Sequence, residues 1–279
     1  MEIEPQICSL RNINSMVQVE LSIVDAFHNV AVQLNNDNIP IFKSIMNGKT
    51  MLPSPAIAGL ISSSLEATPF ASESDLMDTV LRHIEHFLQH EHVQIATEVQ
   101  VGSGYVDLIA ARVTDKALDR LSHAISGVEA CLLANMHYRQ RLRLSTIAKR
   151  CCISVQKAEA AIHNLSTMGY VHSVGSCYVR NAPFVTDIVA VEGKLRNWRR
   201  ALSQAHRNRL FTSQTYVALD ARYARPALAN LDVFHHYRVG LAIIFQSGDV
   251  HVVYRPPKGR PIANVMPIIA ENALLQQLN

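Results

Sequence analysis

No stretch of the 279-residue sequence approaches the roughly 18 consecutive apolar residues of a membrane-spanning helix. The opening Met1-Glu-Ile-Glu-Pro also lacks the basic and apolar regions of a secretory signal, so a cytoplasmic protein with no membrane partner is expected. Cysteine is sparse. The five residues Cys8, Cys131, Cys151, Cys152 and Cys177 are odd in number and contain no C-x-x-C pair, which argues against a disulfide framework or a cysteine zinc site and for reduced packing residues. Charge of one sign is also wanting: the net charge of +3 is too small to identify a partner. Apolar residues are plentiful at 48%, enough to core one elaborated domain or two.

Against that background residues 184–195, Phe-Val-Thr-Asp-Ile-Val-Ala-Val-Glu-Gly-Lys-Leu, stand out. The run of β-formers predicts a strand whose alternate residues, Ile188 and Ala190 against Val189 and Val191, are apolar on both faces, as in a central strand covered on two sides. Residues two apart share a face, so Glu192 and Lys194 project together from its end. An acid there suits a hard divalent cation, and an ammonium beside it orients water or offsets charge on a phosphate. Asp187 is five residues from Glu192 and falls on the opposite face.

A second acid has to come from a neighbouring strand. Residues 95–101 and 104–111 read as a hairpin about Gly102-Ser103, with glycine first as a type II′ turn requires. Val101 then pairs with Gly104, and Glu98 falls opposite Asp107 on one face. After Lys194, residues 196–211 predict a helix with Trp198, Ala201, Leu202 and Ala205 inward and Arg196, Arg199, Arg200 and Arg207 outward. Residues 214–220 read as a further strand.

Gly104-x-x-Asp107 followed by Glu192-x-Lys194 resembles the two motifs of the PD-(D/E)XK nuclease superfamily, with the restriction-endonuclease-like fold, and Gln204 is similar to the glutamine some branches carry on the following helix. The resemblance covers residues 74–112 and 184–220 and implies that Asp107 and Glu192 bind Mg²⁺ or Mn²⁺, that Lys194 assists the attacking water, and that Glu98 or Gln204 completes the shell. The sequence departs from the pattern where a long insertion separates the acids and where Asn208 replaces the tyrosine of the RecB-like branch.

Elsewhere, residues 17–34 have helical periodicity, 39–46 read as a short element, and Leu52-Pro-Ser-Pro marks a turn; none carries chemistry. Ser72 caps a helix whose apolar residues include Leu76, Val80 and Ile84; Glu73 and Glu85 on it read as exposed carboxylates, the alternative implied by the resemblance being that one of them reaches the metal, as an acid from this helix does in some relatives. At helical spacing His83, His86, His90 and His92 do not gather three on one face, which speaks against a metal role.

The insertion reads as helices over 124–136, 145–151 and 154–165, a tight link at Cys152-Ile153, and two short strands around Gly175. Its pattern, Leu-x-x-Ile-Ala-Lys, Ile-Ser and Ala-x-x-x-Leu-x-x-x-Gly-Tyr-Val, resembles a winged helix-turn-helix over residues 123–181. That resemblance presents Ser154, Gln156 and Lys157 to a DNA groove and Arg180, on the wing, to phosphates. Arg139, Arg141, Arg143, Lys149 and Arg150 form a further basic cluster. Residues 224–237 should be one helix despite Pro226, residues 239–254 two strands broken at Gly248-Asp249, and a final helix packs on the core or on another copy, leaving a homodimer open.

The expected fold is α/β, a mixed central sheet flanked by helices (a restriction-endonuclease-like core) with an inserted winged-helix domain. Its segments are residues 1–70, an N-terminal helical stretch; 71–122, the first part of the core; 123–181, the insertion; and 182–279, the second part of the core with a C-terminal extension. The expected function is metal-dependent cleavage of DNA. A DNA-binding regulator with an inactive core and a protein-interaction module are the two alternatives.

Overall fold

The computed structural model describes residues 55–88, 93–118 and 124–278. The helix expected over 17–34, the element over 39–46, the turn at Leu52, and His90 and His92 lie outside them. In chain order the elements are α1 (Pro55–Glu66), α2 (Glu73–Arg82), β1 (Gln94–Val101), β2 (Gly104–Val113), α3 (Asp115–Leu118), α4 (Gly127–Asn135), α5 (Leu144–Arg150), α6 (Val155–Thr167), β3 (Val171–Val174), β4 (Cys177–Arg180), β5 (Val185–Lys194), α7 (Trp198–Asn208), β6 (Gln214–Asp220), α8 (Arg225–Leu228), α9 (Leu231–Tyr237), β7 (Gly240–Ile244), β8 (Val250–Tyr254) and α10 (Met266–Gln277). No helix of the described residues is long and apolar enough to cross a membrane.

The chain divides into two compact units. The larger contains, among the described residues, 55–112 and Asp187–Ile262, and is built on a six-stranded mixed sheet in the order β1-β2-β5-β6-β7-β8. Strands β5, β6 and β7 are parallel, while β2 and β8 pair antiparallel with β1 and β7. Alternation along β6 sends its residues to two separate cores. Val217 and Leu219 meet Trp198, Ala201, Leu202 and Ala205 of α7 together with Leu228, Val233 and Phe234. Tyr216 and Ala218 meet Leu76 and Val80 of α2, Phe87, Leu108 and Val191. Helices therefore cover both faces, which explains why β5 and β6 carry apolar residues on both sides.

Local signals behave as their chemistry requires. Ser72 caps α2 by accepting the Asp75 N–H at 3.1 Å. Val101 pairs with Gly104 across the Gly102-Ser103 turn, with Gly102 at φ 60°. Residues 224–237 are not one helix: the chain breaks between α8 and α9. There the Asn230 side chain donates to the Pro226 carbonyl at 2.7 Å, taking an acceptor that a continuous helix would have used.

The second unit contains Val113–Thr186 and residues 263–278. Ser126 and Glu129 form a capping box at the start of α4, and the other oxygen of Glu129 accepts from Asn164 of α6 at 3.0 Å, tying two helices through one carboxylate. The link between α5 and α6 turns through Cys152 at φ 51°, and Ser154 caps α6 by accepting the Lys157 N–H at 3.2 Å. Strands β3 and β4 form a hairpin about Gly175. Within this unit the last helix packs on α4, with Asn272 accepting the Ile125 N–H and buried Glu271 accepting the Phe184 N–H.

Candidate functional site

Strand β5 is buried continuously from Ile188 to Gly193. Because Val189 and Val191 enter the α2 layer, alternation turns Glu192 to the α7 side, where it is fully buried. Asn208, in the last turn of α7 and itself buried, donates from Nδ2 to Glu192 Oε1 at 2.6 Å. Glu192 Oε2 is buried and has no hydrogen-bond partner among the described residues. Burial pushes the Glu192 carboxyl up to about 8 and the charge of Asp107 adds to the shift; the Asn208 bond and the charges of Lys194 and Arg207 oppose it.

Strand β2 is the sheet neighbour of β5, and it brings Asp107 to the same strand end. Asp107 Oδ2 accepts the Gly193 N–H at 2.8 Å and lies 3.7 Å from Lys194 Nζ. The ammonium is anchored further, 2.8 Å from Glu73 Oε2 in the first turn of α2 and donating to the Gly193 carbonyl at 2.7 Å. Glycine between the acid and the lysine lets α2 come this close: a Cβ on residue 193 would stand 2.3 Å from Met77 Sδ and 3.1 Å from Leu76 Cδ2. Glu73, an exposed carboxylate as expected, thus also enters the cluster as the partner of Lys194.

Gln204 sits one turn before Asn208 on α7, so the two share a helix face. Its Oε1 is also buried and has no partner among the described residues. Two buried side-chain oxygens, Glu192 Oε2 on β5 and Gln204 Oε1 on α7, thus lack a hydrogen-bond partner among the described residues. A hard cation would give the Glu192 oxygen a partner, and Asp107 would add a further hard oxygen. The donor set fits Mg²⁺ or Mn²⁺.

Glu98 does not join this cluster. It takes φ 52°, the β1–β2 ladder skips from Thr97–Leu108 to Val99–Val106, and its side chain is exposed. The register on either side still sets Glu98 opposite Asp107, but with its backbone at positive φ the side chain lies exposed. Asp187, also at positive φ, pairs with Lys258 at 3.1 Å and Arg112 at 3.7 Å and makes a separate ion cluster.

Beside the Lys194–Glu73 pair, Phe70, Leu195, Arg196, Asn197 and Tyr223 line an open cleft of about 440 Å³. The Arg196 guanidinium lies 4.4 Å over the Tyr223 ring and donates to its hydroxyl at 2.8 Å. Arg199 and Arg200 follow on the exposed face of α7, Arg199 stacking on Trp198 at 5.1 Å. In the other unit Ser154, Gln156 and Lys157 are exposed at the start of α6. Arg180 is engaged: it donates to the Leu133 carbonyl and its guanidinium lies 4.5 Å over the Tyr138 ring. A side chain held this way in its own unit is less available to a phosphate than Lys157.

Asn208 is the residue whose part the sequence reading missed. The signal lay in the Gln204-x-x-x-Asn208 spacing, which puts two amides on one face of a helix that directly follows Glu192. No family model, curated protein or solved structure matches this chain.

Proposed function

We propose that the protein is a DNA-binding nuclease that cleaves phosphodiester bonds with a divalent metal ion held by Asp107 and Glu192. One observation supports this reading: at the ends of two adjacent strands an aspartate, a glutamate and a lysine lie close enough to interact, and the glutamate keeps a fully buried oxygen with no partner among the described residues. A purely structural ion pair would have no use for that oxygen, since an unsatisfied buried acceptor costs about 1–3 kcal/mol.

When bound, the ion would supply a water of lowered pKa and a counter-charge for the phosphate. Asp107 and Glu192 hold it, with the Gln204 carbonyl oxygen as the further acceptor. Asn208 fixes the Glu192 carboxyl through Oε1 and leaves Oε2 for the ion. Lys194, held by Glu73 and Asp107, keeps its ammonium at the strand end, where it offsets charge developing on the phosphate. The exposed Arg196, Arg199 and Arg200 of the same unit give the DNA backbone a cationic surface, and the start of α6, with Ser154, Gln156 and Lys157, gives a second point of contact. This second unit has the element order expected of a winged helix, and we assign it DNA contact on that ground. Arg180 would join only by leaving Tyr138.

One observation favours a DNA-binding protein with an inactive core. Lys194 already makes a 2.8 Å ion pair with Glu73, and a substrate phosphate has to compete with that carboxylate. Incubating the purified chain with linear, circular and single-stranded DNA in Mg²⁺ or Mn²⁺ decides between them: scission supports the nuclease, and binding without scission of any form supports the regulator.

A further inference from the structure

Helix α2 ends at Arg82, and the next turn, Ile84–His86, is a 3-10 turn. Helical spacing, by which the histidines here do not converge, therefore no longer applies. On this turn His83 Nδ1 and His86 Nε2 stand 3.7 Å and 3.8 Å from the same atom, Glu85 Oε1. Both separations exceed hydrogen-bond length, so the carboxylate bonds neither ring and a gap lies between three ligand-type atoms. The donor atoms of the group lie within 4.8 Å of one another. Ligands about 2.0 Å from a tetrahedral ion are about 3.3 Å apart, so side-chain rotations that draw the donor atoms together by up to about 1.5 Å close the set.

The turn is held from behind. Arg255 donates to the carbonyls of His86 and Phe87 and to the Tyr216 hydroxyl, and Phe87 is fully buried against Tyr216 with ring centroids 5.4 Å apart. The β7–β8 turn comes up to His83 on its Nε2 side, where a Cβ on Gly248 would lie 3.6 Å from that nitrogen. This leaves Nδ1 facing Glu85. The two imidazoles are tilted 59° with centroids 6.2 Å apart, so they flank the gap and do not stack across it.

We propose that His83, Glu85 and His86 form a site for a borderline divalent cation of the Zn²⁺ or Co²⁺ class, chemically distinct from the oxygen site at Asp107 and Glu192. Two imidazoles and one carboxylate select such ions over Mg²⁺, and three protein ligands leave a fourth position for water. Being independent of the proposed nuclease chemistry, this inference stands or fails alone.

The test is a Co²⁺ titration of the full chain in excess Mg²⁺, followed by the visible absorbance of low-coordinate Co²⁺ and by calorimetry. The parent should bind one equivalent, and an Asp107→Asn/Glu192→Gln chain should do the same. His83→Ala and His86→Ala should each weaken binding by more than the roughly 10- to 100-fold that loss of an outer-shell partner costs. Both histidines are partly or fully exposed, so circular dichroism should show each variant folded like the parent. Glu85→Ala gives a third variant with no ring removed, and its binding should weaken in the same direction. The proposal is overturned if the parent binds no stoichiometric Co²⁺, or if binding persists unchanged in the His83 and His86 variants.

Discussion

Asn208 Nδ2 donates to one oxygen of Glu192 at 2.6 Å while the other oxygen of the same buried carboxyl meets no donor among the described residues. The amide thus orients the acid without satisfying it. Asn208→Ala leaves a second acceptor buried and unpaired, and should lower stability by about 1–3 kcal/mol, read as a drop in the urea midpoint. The same variant should bind Mg²⁺ more weakly, because the bond favours the charged form of Glu192. Unchanged midpoint and unchanged Mg²⁺ affinity would show that this contact orients nothing.

The buried acids make stability depend on pH in an uncommon direction. Burial raises Glu192 to about 8 and Glu271 to about 7, from an ordinary 4.5. Between these values the folded chain keeps protons that the unfolded chain has released, so stability declines as pH rises from about 4.5 to about 8. Urea midpoints measured in EDTA at pH 5, 6.5 and 8.5 should fall in that order. Glu192→Gln should flatten the upper part of the curve and Glu271→Gln the lower. Metal binding requires the ionised carboxylate, so stabilisation by added Mg²⁺ should grow with pH over the same window and vanish in Glu192→Gln.

Gly193 sets how close α2 lies to the site. Gly193→Ala forces Met77 and Leu76 aside and moves Glu73 with them, so it should reduce nucleolytic rate while leaving DNA affinity near that of the parent. Pairing it with Met77→Ala, which clears the space, should restore part of the rate. No recovery in the double variant would mean the glycine serves some other need.

DNA affinity should fall steeply with salt, since each phosphate contact releases counterions. Substituting Lys157, Arg199 and Arg200 together should lower affinity and shallow the salt slope by about one unit per lost contact, with the urea midpoint little changed because all three side chains are exposed. Unaltered affinity would favour the protein-interaction alternative.

Glu192, Lys194 and Asp107 were legible because each sits in a run of β-formers whose alternation is strong enough to orient it. The covered character of β5 could likewise be read from apolar residues on both its faces. Glu73 and Asn208 were not legible in their roles. A helix sequence shows which face is polar, but not which strand end that face will meet. Glu98 misled because nothing in a glutamate announces a positive φ, and at such a φ the side chain lies exposed although the register still sets the residue opposite Asp107. The break between α8 and α9 depends on one asparagine side chain capturing a carbonyl, a contest that periodicity does not register. His83 and His86 were judged on helical spacing, and the helix stops before them.

The most direct test compares chemistry with binding at the strand end. Lys194→Ala, purified free of host nucleases, should bind DNA like the parent and lose metal-dependent cleavage by roughly a hundredfold or more, as expected on removing one positioned electrostatic group. Glu192→Gln should lose it as well, and Asp187→Ala, from the separate ion cluster with Lys258 and Arg112, should not. Full metal-dependent cleavage in both Lys194→Ala and Glu192→Gln would contradict the assignment of this site.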